Sequence, residues 1–438
     1  MIDKILNAQL VDPTKPAIHS DDQSYDINIH AGKISEISIS HSNPNFSKDI
    51  QNTSSKSYID AKEKLVFAGL VDLATYLREP GASYKASIKS ETYAAASAGI
   101  TTLCFQPEPR VLVNNTANVN LIHEINQRTA TAHIEVIGNL TQDLKGEALS
   151  NMGDLKQANC VGVSNGLQPL KDLHTLHMAM KYASTHDLKV FIHPLEHSLA
   201  QKGCVHAGSV ATRVGLPSIP VAAESAALAQ ALTLVEATGA KTHFCRLSSA
   251  ASVKLIEYGK KQGLPITADV AAHQLFLTDI DIMHFNPLCH TYPPLRSERD
   301  KNALRQGLAD GVIDAICSDH QPHEIDAKLA PFQQTEIGIS GLETLLPLTL
   351  KLVEEGVFDL PQALKLISLN PAKILNIDAG QLRCGANADL VIFDPDAFWC
   401  LEAESMLSDG KNTPFLGQWF SGEVINTLLA GKMVYSKN

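Results

Sequence analysis

Short apolar runs recur along the middle of the chain, each bounded by polar or glycine-containing segments. Eight of them stand out: Gly69–Leu73, Thr101–Phe105, Ile134–Ile137, Val161–Ser164, Val190–His193, Thr242–Arg246, Ile266–Val270 and Ala315–Ser318. Continuous apolar runs of this length, as opposed to alternating ones, suit strands buried on both faces. Longer helix-like segments separate them. Ala86–Ala98 is alanine-rich and is closed by Gly99, a helix stopped by a C-cap glycine. Eight strand–helix units in order predict a (β/α)8 barrel.

The two ends of the chain follow a different pattern. Lys4–Leu10, Asp26–Ile29, Ile34–Ile39 and Tyr58–Asp60 read as short strands, with an Ala-Gly-Lys turn between two of them. The Ser/Asn-rich stretch His41–Ser57 reads as a loop. Asp389–Phe393 and Val424–Tyr435 are again strand-like and repeat the Ala-Gly-Lys turn. A few short strands cannot form a stable domain alone, so the two sets are expected to complete one another. The predicted organisation is residues 1–66 and 381–438 as the two parts of a small β-sandwich, with residues 67–380 forming the barrel.

Composition narrows the partners. The chain has 438 residues, 44% hydrophobic and 19% charged, which suits an ordinary globular protein. A formal net charge of −11 without a basic block argues against nucleic-acid binding. No apolar run reaches the roughly 20 residues of a membrane span, and the first residues lack a signal-peptide pattern. Eight scattered cysteines, none in a C-x-x-C pair, read as buried free thiols of a reducing compartment. The expected location is the cytoplasm.

The candidate chemistry lies at the strand ends, where barrels of this kind carry their sites. The first strand opens into Asp72-Leu73-Ala74-Thr75-Tyr76-Leu77-Arg78-Glu79-Pro80-Gly81. The eighth ends in Ser318-Asp319-His320-Gln321-Pro322-His323, and the C-terminal part carries Asn412-Thr413-Pro414-Phe415. Together these segments resemble the dihydroorotases of the amidohydrolase superfamily. That resemblance implies an amidohydrolase-type (β/α)8 barrel with a β-sandwich built from both termini. It also implies a zinc site, in which two histidines of strand one fall at Ala74 and Tyr76. The bridging lysine or carboxylate of strand four falls at Asn165, and a strand-six histidine falls at Arg246. His193 and Asp319 remain at ligand positions. Arg78 stands where the family contacts the substrate carboxylate. Two asparagines of that contact are replaced, by Glu108 in Gln106-Pro107-Glu108-Pro109 and by Tyr292 in Tyr292-Pro293-Pro294-Leu295-Arg296.

A catalytic zinc takes three protein ligands as a rule, and His193 with Asp319 makes two. Cys245 could ligate by chemistry, but strand alternation next to Arg246 turns it to the other side. No Ser-His-Asp or Cys-His constellation is legible. The expectation is therefore a pseudo-enzyme with no catalytic residue, metal or cofactor, and with Arg78 as a vestigial anion contact. Asp319, His193 and His243 would form a polar cluster in the barrel mouth, and Glu108 would be an exposed loop residue. Glu79 or another acid would hold Arg78. Arg246 is expected to pair with Asp319, with Tyr76 filling part of the vacated volume; the alternative is an Arg246 turned to solvent.

The resemblance reaches further than the fold. It is strongest to bacterial dihydroorotase-like chains that lack metal ligands and assemble, six plus six, with the catalytic chain of aspartate carbamoyltransferase. An active metal-dependent dihydroorotase with a reduced or altered site is the main alternative. A dihydropyrimidinase-like scaffold that has lost its metal is a third.

Overall fold

The computed structural model describes residues 1–14, 23–40, 57–129 and 131–437. The loop expected over His41–Ser57 lies outside the described residues, apart from Ser57. All eight predicted barrel strands are present, at Leu70–Thr75, Ile100–Phe105, His133–Asn139, Gly162–Ser164, Lys189–Ile192, Thr242–Phe244, Ile266–Ala271 and Ala315–Cys317. They pair in sequence order, each parallel to the next.

The last strand returns to the first through its own continuation. His320 donates its N–H to the Ala74 carbonyl at 3.0 Å, and its carbonyl accepts from the Tyr76 N–H at 2.9 Å. Buried Asp72 seals the same seam by accepting from the Ser318 N–H and hydroxyl, both at 2.7 Å. A carboxylate buried from solvent needs such donors, so Asp72 is structural.

One apolar run splits in two. Leu65–Ala68 belongs to the terminal sheet and Leu70–Thr75 to the barrel, with Gly69 as the joint. A Cβ at Gly69 would lie 2.0 Å from the Thr101 hydroxyl oxygen, so only glycine fits there. The helix after strand one runs Ile88–Ser97, two residues later than predicted, because the Ser87 side chain caps it. Gly99, at φ +77°, turns the chain out of it.

The terminal strands build one sheet from both ends of the chain. Leu390–Cys400 pairs antiparallel with Leu65–Ala68, which pairs parallel with Lys4–Leu10. Both Ala-Gly-Lys turns have positive φ at Ala and Gly (Ala31, Gly32 and Ala430, Gly431), the backbone of a tight hairpin matched to strand twist. Val71, Leu73, Cys104, Ile137, Phe191, Cys245 and Cys317 pack together, with Ile374 and Leu375 against them. No helix among the described residues is long and apolar enough to cross a membrane.

Candidate functional site in the barrel mouth

The strand ends turn sharply before delivering their side chains. Arg78, Arg246 and Asp319 all have left-handed backbone, with φ of +62°, +54° and +46°. Non-glycine residues seldom hold this conformation, and it re-aims side chains that regular strand alternation would send elsewhere. It also overturns the expectation for Cys245. Strand six ends at Phe244, and Cys245 points into the barrel interior among Cys104, Phe191 and Cys317.

Arg246 reaches into the mouth, not to solvent. Its Nε lies 3.4 Å from Asp319 Oδ1, with both side chains 2% exposed. The Arg246 N–H donates to Asp269, whose other oxygen lies 3.0 Å from His243 Nε2. The expected cluster is thus divided: His243 is held by Asp269 and by Thr267 at 2.8 Å, deeper than Asp319. Asp319 Oδ2 accepts from the Gln321 amide at 3.3 Å, while Asp319 Oδ1, Arg246 Nη1 and His193 Nδ1 have no hydrogen-bond partner. Burial pushes the Asp319 carboxyl up to about 7, against the opposing pull of the Arg246 charge. Burial, and then the Arg246 charge, keep His193 neutral well below its ordinary range.

Tyr76 is buried beside this pair, its phenol pushed up to about 12 chiefly by burial. Ala74 packs in the barrel interior. Asn165 ties a loop together instead of facing Asp319: it accepts from Thr141 at 2.5 Å and donates to the carbonyls of Gln168 and Pro169 at 3.0 and 3.3 Å. Among the described residues, no three His, Cys, Asp or Glu side chains are grouped to hold a metal ion. A guanidinium also sets positive charge against Asp319, one of the two residues at ligand positions. The residues present do not fit that metal.

Arg78 has found its own acid. Glu108, expected to be exposed, is largely buried and accepts from Arg78 Nη1 at 2.6 Å. Glu79 does not hold Arg78 but caps the next helix by accepting from the Ile88 N–H at 2.8 Å. The remaining Arg78 donors meet the Pro322 carbonyl and His323 Nε2, both at 3.2 Å. His323 Nδ1 lies 2.9 Å from buried Lys85, and burial with these two cations pushes its ring down to about 2. Tyr76, Arg78, Lys85, Glu108, Gln321 and His323 thus line a cavity of about 250 Å³ whose charges already answer one another.

Arg296, flagged by the Pro-Pro-Leu-Arg match, fastens loops. It donates to Ser248 Oγ at 3.0 Å and the Ile219 carbonyl at 2.9 Å, with Glu224 at 3.8 Å. Sequence reasoning missed the buried Glu91–His320 pair at 2.7 Å. Glu91 also accepts from Ser408 Oγ at 2.7 Å and the Asp409 N–H at 3.0 Å, pinning the C-terminal segment onto the barrel. These three partners are more than 200 residues away, so no local signal could have revealed the pair.

The sequence profile of the amidohydrolase family matches residues 65–434. The chain belongs to the amidohydrolase family. Among relatives of this chain, a "dihydroorotase-like protein" of Pseudomonas putida is 42% identical over 431 residues, 98% of each chain. A protein of the same description from Pseudomonas aeruginosa is 41% identical over 98% of this chain and 99% of its own length. A "dihydroorotase" of Geotalea daltonii is 37% identical over 99% of each chain. Among solved structures, an L-hydantoinase (dihydropyrimidinase) from Arthrobacter aurescens superposes with a TM-score of 0.85 at 22% identity, covering 100% of this chain and 97% of its own. That likeness concerns the amidohydrolase fold alone.

Proposed function

We propose that this member of the amidohydrolase family is a non-catalytic, dihydroorotase-like subunit of pyrimidine biosynthesis. In this reading it assembles in the cytoplasm with catalytic chains of aspartate carbamoyltransferase, six of each. The observation that carries the reading is Arg246 beside Asp319. A permanent positive charge beside the residue that would serve as ligand and base opposes both roles. The Arg78–Glu108 pair supports it, since the arginine that would take a substrate carboxylate is already neutralised. The Pseudomonas relatives named "dihydroorotase-like" agree with the same reading.

The test is to mix the purified chain with aspartate carbamoyltransferase catalytic chains from the same source and measure mass in solution. The expected result is one co-migrating species with equal numbers of the two chains. Separate species at micromolar concentration would refute the assembly. Dihydroorotate turnover abolished by a chelator would refute the loss of catalysis and favour an active metal-dependent dihydroorotase.

A further inference from the structure

The opposite end of the barrel carries a second concavity, away from the mouth. It lies where the strands begin and has a volume of about 470 Å³, against about 250 Å³ for the Arg78 cavity and about 400 Å³ for the cavity beside His193 at the mouth end. Four lysines from four separate elements line it. Lys156 comes from the helix before strand four, Lys189 opens strand five, Lys241 precedes strand six, and Lys373 lies on the helix Asn370–Leu375. In a chain of net charge −11, such a gathering does not follow from composition.

The carboxylates nearby do not cancel it. Glu135 and Asp187 are the acids lining the cavity. Asp187 is engaged by Lys241 at 2.7 Å, and among the described residues Glu135 lies within ion-pair distance of none of the four lysines. Asp314, close by, is taken by Lys260 at 2.7 Å. Among the described residues, no carboxylate lies within ion-pair distance of Lys156 or Lys373; Lys156 meets the Asp187 carbonyl at 3.4 Å. Lys189 is half-buried, donates to the Ile374 carbonyl, and is pulled down to about 8 by burial and then by Lys241. Lys241 and Lys189 therefore repel one another, and Lys156 and Lys373 add positive charge with no carboxylate beside them, around a space large enough for a small metabolite.

We infer that this lysine-lined cavity at the strand-start end of the barrel binds a phosphorylated small molecule. Lysines are compact point charges that suit the clustered charge of a phosphate or diphosphate. The cavity lacks the arginine fork that favours planar carboxylates. The inference rests on the lining residues of this cavity and not on the proposed assembly.

Calorimetric titration of the full chain with inorganic pyrophosphate, a nucleoside triphosphate and succinate tests it. Saturable binding of pyrophosphate is expected, weakening several-fold between low and physiological salt. The double variant Lys156→Ala/Lys373→Ala removes two exposed side chains, so it should fold normally and bind about tenfold more weakly. Tighter binding of the triphosphate would extend the ligand to nucleotides, whereas equal affinity for pyrophosphate alone would confine recognition to the phosphates. No saturable heat with millimolar pyrophosphate would overturn the inference. So would undiminished binding in a correctly folded double variant, or succinate binding as well as pyrophosphate.

Discussion

Arg246 Nε and Asp319 Oδ1 lie 3.4 Å apart in the barrel mouth, with both side chains 2% exposed. Both side chains are shielded from bulk solvent, so the two charges depend on one another. A pair like this is costly to break and far less costly to replace whole, because a lone charge stripped of water is the largest penalty either partner can meet.

Arg246→Met should therefore destabilise the fold by about 3 kcal/mol, leaving a buried carboxylate unpaired. The double variant Arg246→Met/Asp319→Leu should recover most of that loss. Denaturant unfolding of both variants checks this, and equal losses in the two would contradict it. Arg246→His alone should restore no dihydroorotase activity, since Ala74, Tyr76 and Asn165 stay unchanged.

Asp319 also sets a pH dependence. Its folded pKa of about 7 is above its ordinary 3.8, so the folded state holds a proton that the unfolded chain has released. Its contribution to stability therefore falls as pH rises from about 4 to about 7, and levels off above that. Glu343, pushed up to about 7 mainly by burial, acts in the same sense. His323 and His273, held neutral by burial, act in the opposite sense below their ordinary pKa. The diagnostic is a difference: the stability change caused by Asp319→Asn should shift in the stabilising direction as pH rises across this window, by up to a few kcal/mol, whatever its value at acid pH. A difference flat from acid to neutral pH would show that Asp319 titrates normally.

Chelation should leave the melting temperature unchanged, and elemental analysis should find no stoichiometric zinc. The residues at the ligand positions predict both results. One tightly held zinc per chain would contradict them.

Gly69→Ala should cost about 1–3 kcal/mol through a clash with Thr101 at the joint between sheet and barrel. Thermal unfolding reads this directly. Thr101→Ala in the same chain should return part of the loss by removing the clashing hydroxyl and methyl.

The barrel was legible because buried parallel strands are continuous apolar runs, and all eight emerged within a few residues. The Arg246–Asp319 contact was legible from resemblance, as two ligand positions aimed at one point. Glu108 was misjudged because its partner, Arg78, lies 30 residues away on another strand end. Cys245 was misjudged because a left-handed Arg246 breaks regular strand alternation at that point. Asn165 was placed at a ligand position by frame alone, and its side chain serves a loop instead.

The strand Leu65–Ala68 has a consequence for how the molecule is made. It leads directly into the first barrel strand, yet one of its neighbours is Leu390–Cys400, about 320 residues later. On the ribosome, that edge stays unpaired while the barrel is being synthesised. Pairing so distant in sequence is slow, and exposed strand edges invite wrong partners in the meantime. Truncation before Leu390 should therefore yield an aggregating chain, not a free barrel.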